Sequence, residues 1–461
     1  MFFGRDKELK KLNQLWNKES FEMVVIYGRR RVGKTTLINE FCKDKKNIFF
    51  AAMESSKEAN LAAFSESVLQ SQGIESGAVY TEFLELLRAA ANMAKEERIL
   101  LVIDEYPYLA KADQSFSSLL QNQIDHVIKD TKLFLILCGS SMSFMENQVL
   151  GYKSPLFGRR TAQFRILPFD YYDTAKNFPE YSDEDKALAF GVSGGIPLYV
   201  NRLSAYPDIR EAIKMELFDT SAYLFEEPGN LLKQELREPQ TYNVIVTAIA
   251  NGYSKLNEIA TKASLDTGTC SKYISNLISL GIVKKELPIG EANSRKSIYQ
   301  ISDYLFRFWY RFIPPNMNQI VSGKIETTFK RTVENNLSEY MGLVFEEICK
   351  QYVLFYEAEL PIDLGAVGQW WGTDQKRRRQ VQLDLVVLSP DGKQAIFGEC
   401  KYRNQLLDAD ILDKLIEDSN AFPGDVEKHY YLFSKSGFTT EVLKRGKAGN
   451  IKLITLADMM N

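Results

Sequence analysis

The octet GRRRVGKT, Gly28 to Thr35, sets two glycines and a lysine at the spacing of a loop that holds phosphate. The apolar run MVVIY precedes it and apolar residues at helical spacing follow it, which is the strand, loop and helix context that such a loop needs. Backbone N–H groups across Arg29, Arg30, Arg31, Val32, Gly33 and Lys34 wrap a β-phosphate at a helix start, where negative charge is favoured. Gly28 and Gly33 allow close approach, Lys34 reaches the β and γ oxygens, Thr35 ligates Mg²⁺, and Thr36 belongs to the same binding turn. The alternative is a glycine turn joining a strand to a helix. Chance matches to the pattern are expected in only about one or two chains in a hundred of this length.

Three downstream segments supply partners for that loop. RILLVIDEYPYL (98–109) reads as a strand ending in two acids. Asp104 would hold Mg²⁺ through water, and Glu105 would polarise the attacking water as general base. LFLILCGSS (133–141) ends in hydroxyls, of which Ser140 rather than Ser141 is expected to sense the γ-phosphate; a helix cap is the alternative. In PLFGRRTAQFRILPFD (155–170), Arg159 or Arg160 would neutralise transition-state charge, in cis or across a subunit interface. A structural or solvated arginine pair fits those residues equally well.

A second constellation lies near the far end. VQLDLVVLSPDGKQAIFGECK (381–401) reads as a β-hairpin with Pro-Asp-Gly at its tip. Its Glu399-x-Lys401 spacing is weak by itself, since Glu8-Lys10 and Glu184-Lys186 repeat it. Context separates the third, because strand alternation puts Glu399 and Lys401 on one face and the hairpin brings Asp384 opposite. Two carboxylates so placed can share a divalent ion that polarises a phosphodiester, while Lys401 orients water or stabilises the transition state. On the preceding helix, GLVFEEICKQYV (342–353), Phe345, Ile348 and Cys349 form an apolar stripe and Glu347 is the expected further ligand. The alternative is a buried Glu399–Lys401 salt bridge in a sheet that binds without cutting. WWGTDQKRRRQ (370–380) adds basic residues 376–379 beside two tryptophans, suited either to a nucleic-acid groove or to a solvated loop over core rings.

These elements sit in a chain of 461 residues with 45% apolar composition, long enough for about three domains. A net charge of −3 gives no global positive field, so any nucleic-acid contact must be local. Five scattered cysteines without CxxC spacing argue against a disulfide framework or structural zinc and fit a reducing cytoplasm. Two histidines disfavour Ser-His-Asp hydrolysis and multi-histidine metal sites. No apolar run is long enough to span a membrane, and the N-terminus lacks the pattern of a signal peptide.

FFGRDKEL (with Phe3, Gly4, Arg5 and Glu8), GRRRVGKT, LLVIDEYPYL, LCGSS, PLFGRR and GGIPLYV (194–200) together resemble the AAA+/STAND-like prokaryotic and archaeal ATPases over roughly residues 1–320. The resemblance implies ATP and Mg²⁺ as cofactors. It also implies a five-stranded parallel sheet with an extra strand between phosphate loop and acidic strand, for which NIFFAA (47–52) is the candidate. The sensor position carries serine where the family has asparagine. From about 238, short helices closed by IVKKEL and KSIYQIS fit a helix-turn-helix with a β-wing, whose presumed recognition helix exposes Lys272, Tyr273 and Asn276. SDYLFRFWYRFIPP (302–315) reads as a core helix joining two domains. Glu347, Asp384, Glu399 and Lys401 resemble the PD-(D/E)xK nuclease core, a recurring companion of such ATPases.

The expected architecture is α/β and multidomain. It comprises a parallel-sheet P-loop NTPase core (1–180), a helical lid (181–235), a winged helix (236–315) and a restriction-endonuclease-like α/β domain (316–461). The expected function is ATP hydrolysis coupled to action on DNA, with a metal-dependent nuclease domain and no membrane. A protein partner and a homo-oligomer are both open. The rival is a nucleotide-dependent signalling switch with an inactive nuclease-like tail. A helicase-like motor is weaker, since no second motor domain or helicase motif set is present.

Overall fold

The structure, a computed structural model, describes residues 3–74, 79–291 and 296–460. The chain divides into two compact units, one reaching to Pro168 and taking in Ile196–Leu198, the other comprising Phe169–Gly195 and the chain from Tyr199 onward.

In the first unit, β1 (Glu22–Tyr27), β2 (Asn47–Ala51), β3 (Ile99–Asp104), β4 (Leu133–Gly139) and β5 (Ala162–Arg165) form a parallel sheet in the order β2-β3-β4-β1-β5. Strands covered on both faces are apolar throughout rather than alternating, and every residue of β1, β3 and β4 is buried. Alternation then sorts β1 between two cores. Met23, Val25 and Tyr27 face the layer of Phe64, Leu86 and Leu120, while Val24 and Ile26 face Leu12, Leu37 and Phe41. NIFFAA does form a strand, β2, but at the sheet edge beyond β3. The strand lying between β1 and β3 is β4. Their burial explains the placement, since β4 is sealed on both faces while β2 alternates between buried and partly exposed positions.

The second unit carries a run of helices through Glu235. Three helices follow, Pro239–Ala250, Leu256–Lys262 and Thr267–Ser279, and then an antiparallel pair, β6 (Val283–Glu286) and β7 (Ile298–Ile301). The aromatic helix Tyr304–Phe312 buries Phe306, Phe308, Tyr310 and Phe312, as a core helix should. A mixed sheet closes the chain: β8 (Ala366–Asp374), β9 (Arg379–Leu388), β10 (Gln394–Lys401), β11 (Glu427–Ser434) and β12 (Ile451–Thr455), in sequential order. β8, β9 and β10 pair antiparallel, whereas β10, β11 and β12 pair parallel. The parallel step requires a crossover, which the Ala409–Asp418 helix provides. The Leu337–Phe355 helix packs on β8, β9 and β10 through the buried stripe that includes Val344, Phe345, Ile348 and Cys349.

Candidate nucleotide site and acidic tail cluster

The phosphate loop runs from the end of β1 into the helix Lys34–Cys42. Gly33, at the helix N-cap, has φ +85°, a left-handed conformation that costs a glycine little. Gly28 is needed for a different reason: a Cβ there would stand 2.3 Å from the Ile166 carbonyl oxygen. Lys34 is buried, which lowers its pKa, and its Nζ donates to the Gly28 and Arg29 carbonyls at 2.9 Å each. Those bonds hold the ammonium at the loop mouth, where phosphate oxygens would replace the carbonyls. Arg5 is also buried and donates through Nη2 to the Val32 carbonyl at 3.1 Å and to the Leu167 carbonyl at 2.5 Å. It thus clamps the loop to the segment after β5, a role that its place in the sequence does not disclose. Arg30 Nη2 donates to the Tyr108 hydroxyl at 2.9 Å. Within this unit Pro197 of the GGIP segment lies against the loop, its Cγ 3.7 Å from where a Cβ on Gly33 would stand.

At the tip of β3, Thr35 Oγ1 donates to Asp104 Oδ2 at 2.9 Å. The two are hard oxygen donors side by side, the chemistry that Mg²⁺ selects, and they would hold it together with phosphate oxygens. Glu105 adopts φ 49°, ψ 43°, a left-handed backbone rare outside glycine and typical of positions under functional constraint. Its Oε2 accepts from Ser140 Oγ at 2.8 Å and from Ser140 N–H at 3.1 Å. The structure therefore brings Lys34, Thr35, Asp104, Glu105 and Ser140 to one end of the parallel sheet.

The two arginines separate. Arg159 forms a bidentate pair with Asp125 (Nε to Oδ1 2.8 Å, Nη2 to Oδ2 2.6 Å) and also donates to the Pro155 and Phe157 carbonyls. Its donors are largely committed to Asp125, on the helix Phe116–His126, and to carbonyls of its own loop. Arg160 forms no ion pair among the described residues, lies 6.0 Å from the Phe157 ring centre, and acts electrostatically on Tyr27 at the end of β1.

In the tail the hairpin register is Gly398 opposite Leu385, which sets Asp384 beside Glu399. Asp384 Oδ2 accepts from Lys401 Nζ at 3.3 Å and from Cys400 N–H at 3.2 Å, and Lys401 Nζ also lies 2.6 Å from Glu399 Oε1. The helix acid beside this group is Glu346, one position before the expected Glu347. Its carboxyl is pushed up to about 8 by burial and then by the charge of Asp384. Burial and Asp384 likewise raise Glu399. Burial alone would lower Lys401, but Asp384 and Glu399 outweigh it and hold the ammonium above the usual lysine range. Lys401 is thus a fixed cation, fitted to stabilise charge rather than to take a proton. Glu347 instead accepts from Gln351 Nε2 at 3.0 Å.

Three carboxyl groups crowd one ammonium, and the upward shifts of Glu346 and Glu399 register the burial and mutual repulsion that oppose ionising all three; a hard divalent cation would relieve that repulsion, and Glu346, Asp384 and Glu399 would hold it. Among the described residues, however, no three His, Cys, Asp or Glu donors already converge as a metal centre. Lys401 stands between Asp384 and Glu399 instead.

The residues expected to meet DNA are partly engaged within the chain. Arg377 pairs with Asp374 and Glu417, Arg379 pairs with Glu417 and Asp418, and Trp370 is buried against Phe422. Lys376 and Arg378 stay exposed at the hairpin tip without an ion pair among the described residues. On the Thr267–Ser279 helix Lys272 is exposed, whereas Tyr273 bonds Glu238 and Asn276 Nδ2 donates to the Tyr242 hydroxyl at 2.7 Å. No described helix is long and apolar enough to cross a membrane.

The geometry agrees with what the chain is similar to. A family model described as an ATPase domain predominantly from Archaea matches residues 2–203, and one described as "Archaea bacterial proteins of unknown function" matches residues 309–414. An uncharacterized protein of Methanocaldococcus jannaschii is 31% identical over 443 residues, covering 94% of this chain and 96% of that protein. An uncharacterized ATP-binding protein of the same organism is 48% identical over 46 residues, 10% of this chain and 78% of that one. Among solved structures, the Walker-type ATPase of Pyrococcus abyssi superposes with a TM-score of 0.52 at 20% identity, covering 67% of this chain and 96% of that one, a likeness of fold. With a phosphate loop on a five-stranded parallel sheet and a relative matched along almost its whole length, this chain belongs to that archaeal family of P-loop ATPases.

Proposed function

We propose that this ATPase hydrolyses ATP with Mg²⁺ and acts on nucleic acid, through a winged-helix module at 239–301 and a nuclease-like domain after about 316. In the ATPase site Lys34 and the loop amides bind the phosphates, Thr35 and Asp104 hold Mg²⁺, Glu105 polarises water, Ser140 positions Glu105 and senses the γ-phosphate, and Arg160 neutralises developing charge. The observation that carries the nuclease reading is the meeting of Asp384, Glu399 and Lys401 on the β9–β10 hairpin with Glu346 from the helix packed on it. A divalent ion held there would polarise a phosphodiester, with Lys401 supplying positive charge beside it.

A second reading, a nucleotide-dependent switch for a protein partner with an inactive tail, is favoured by one observation: Lys401 already pairs with both hairpin carboxylates. Incubation of the full chain with duplex, single-stranded and branched DNA in Mg²⁺ or Mn²⁺, with and without ATP, separates the two. The nuclease reading expects cleavage that disappears in Lys401→Ala. Intact DNA on every substrate supports the switch.

A further inference from the structure

Within the second unit a cleft of about 700 Å³ is walled by the β6–β7 hairpin and the helices 304–312 and 337–355, and it reaches Glu346 and Asp384. Two charge pairs in its wall satisfy themselves: Lys284 with Glu286 at 2.6 Å and Arg311 with Glu339 at 2.9 Å. Three other cations lining it, Arg307, Arg331 and Lys350, form no ion pair among the described residues. Among the described residues Arg331 donates to the neutral acceptors Asn316 and Gln319. Arg307 Nη2 donates to the Tyr340 carbonyl at 3.0 Å, with the guanidinium 4.6 Å from the Tyr340 ring centre. Its Nη1 is buried and finds no acceptor among the described residues. A guanidinium oriented on one side and unsatisfied on the other is suited to an anionic oxygen. Next to it the cleft ends on carboxylates.

We propose that this cleft seats one unpaired strand of nucleic acid, with a phosphate on Arg307 and flanking phosphates on Arg331 and Lys350, and so delivers a phosphodiester to Glu346 and Asp384. Clefts of roughly 300–1,000 Å³ enclose a ligand of about one or two nucleotides, too little for a duplex. The inference rests on the nucleic-acid function proposed above and narrows its substrate to single strands, overhangs or frayed ends.

The test uses fluorescence anisotropy of the full chain in EDTA, with a labelled single-stranded oligonucleotide and a blunt duplex of the same sequence. Arg331→Ala and Lys350→Ala alter partly or fully exposed side chains, and Arg307→Lys keeps the charge while losing the planar fork. Each variant should weaken single-strand binding about tenfold. Each alanine variant should also lower the slope of log affinity against log salt by about 0.7, with duplex binding unchanged. Equal affinity for the two DNA forms, or single-strand binding indifferent to all three substitutions, overturns the proposal. Cleavage inside a blunt duplex that ignores these variants overturns the cleft while sparing the nuclease. Single-strand binding that needs Arg331, in a protein that cuts nothing, supports the cleft and removes the nuclease.

Discussion

Ser140 holds the Glu105 carboxylate by two hydrogen bonds, one from its hydroxyl at 2.8 Å and one from its backbone N–H at 3.1 Å. The tip of β4 therefore fixes the acid at the tip of β3, and the strand order that makes β3 and β4 neighbours is part of the site.

Removing either partner should act on turnover more than on binding. Glu105→Gln is expected to lower kcat by about 10²–10⁴-fold, the range of a lost general base, with ATP affinity little changed. Ser140→Ala, which deletes one charge-assisted hydrogen bond, should cost about tenfold in kcat. Phosphate release measured alongside nucleotide titration separates the two quantities, and an ATP affinity that collapses in Glu105→Gln would contradict the assignment.

Arg159 and Arg160 should have different phenotypes. Arg159→Ala breaks the half-exposed pair with Asp125 and should cost about 1 kcal/mol of stability. Arg160→Ala should leave the melting temperature unchanged and lower turnover, by about 10³-fold if the arginine meets the transition state directly. Thermal melts paired with ATPase assays check both, and the reverse pattern would exchange the roles.

Lys401→Ala tests the tail without relying on activity. The substitution leaves Asp384 and Glu399 without their cation and should destabilise the metal-free protein by about 1–3 kcal/mol, discounted because the lysine side chain is 31% exposed. It also clears the space between the two carboxylates. Mn²⁺ should therefore raise the melting temperature of Lys401→Ala more than that of the wild type, and should do nothing for Asp384→Ala. An identical response in all three proteins argues against a cation site.

The Glu346 carboxyl gives metal-free protein a pH signature. Its folded pKa, about 8, lies above the ordinary 4.5, so between those values the folded state binds more protons than the unfolded one. Stability then falls as pH rises through that window. Melting temperatures in EDTA should decline from pH 5 to pH 8 in the wild type, and more shallowly in Glu346→Gln. Parallel pH profiles would place the proton elsewhere.

What could be read in advance follows from how local each feature is. The phosphate loop is eight consecutive residues whose roles need only their own spacing, and the β9–β10 hairpin needs only alternation and a turn, so both are visible in one dimension. Glu346 and Glu347 both flank the stripe of Phe345, Ile348 and Cys349. Which of them meets Asp384 depends on how the helix is rotated on β9 and β10, a tertiary fact. Arg159 looks identical to Arg160 until the fold brings Asp125 beside it, 34 residues away in sequence. The basic stretch at 376–379 gives no hint that Glu417 and Asp418 engage Arg377 and Arg379. β2 was legible as a strand, but its place at the edge follows from the two-sided burial of β4.

The central claim, that ATP turnover in this family member serves nucleic acid, is tested most directly by the steady-state rate of phosphate release with and without single-stranded DNA. The account predicts that DNA raises the rate in the wild type, that the effect weakens with salt as phosphate contacts must, and that Lys34→Ala abolishes turnover in both conditions. A rate indifferent to DNA at low salt, in a protein whose oligomeric state shifts with ATP, would contradict it and identify the chain as a switch for a protein partner.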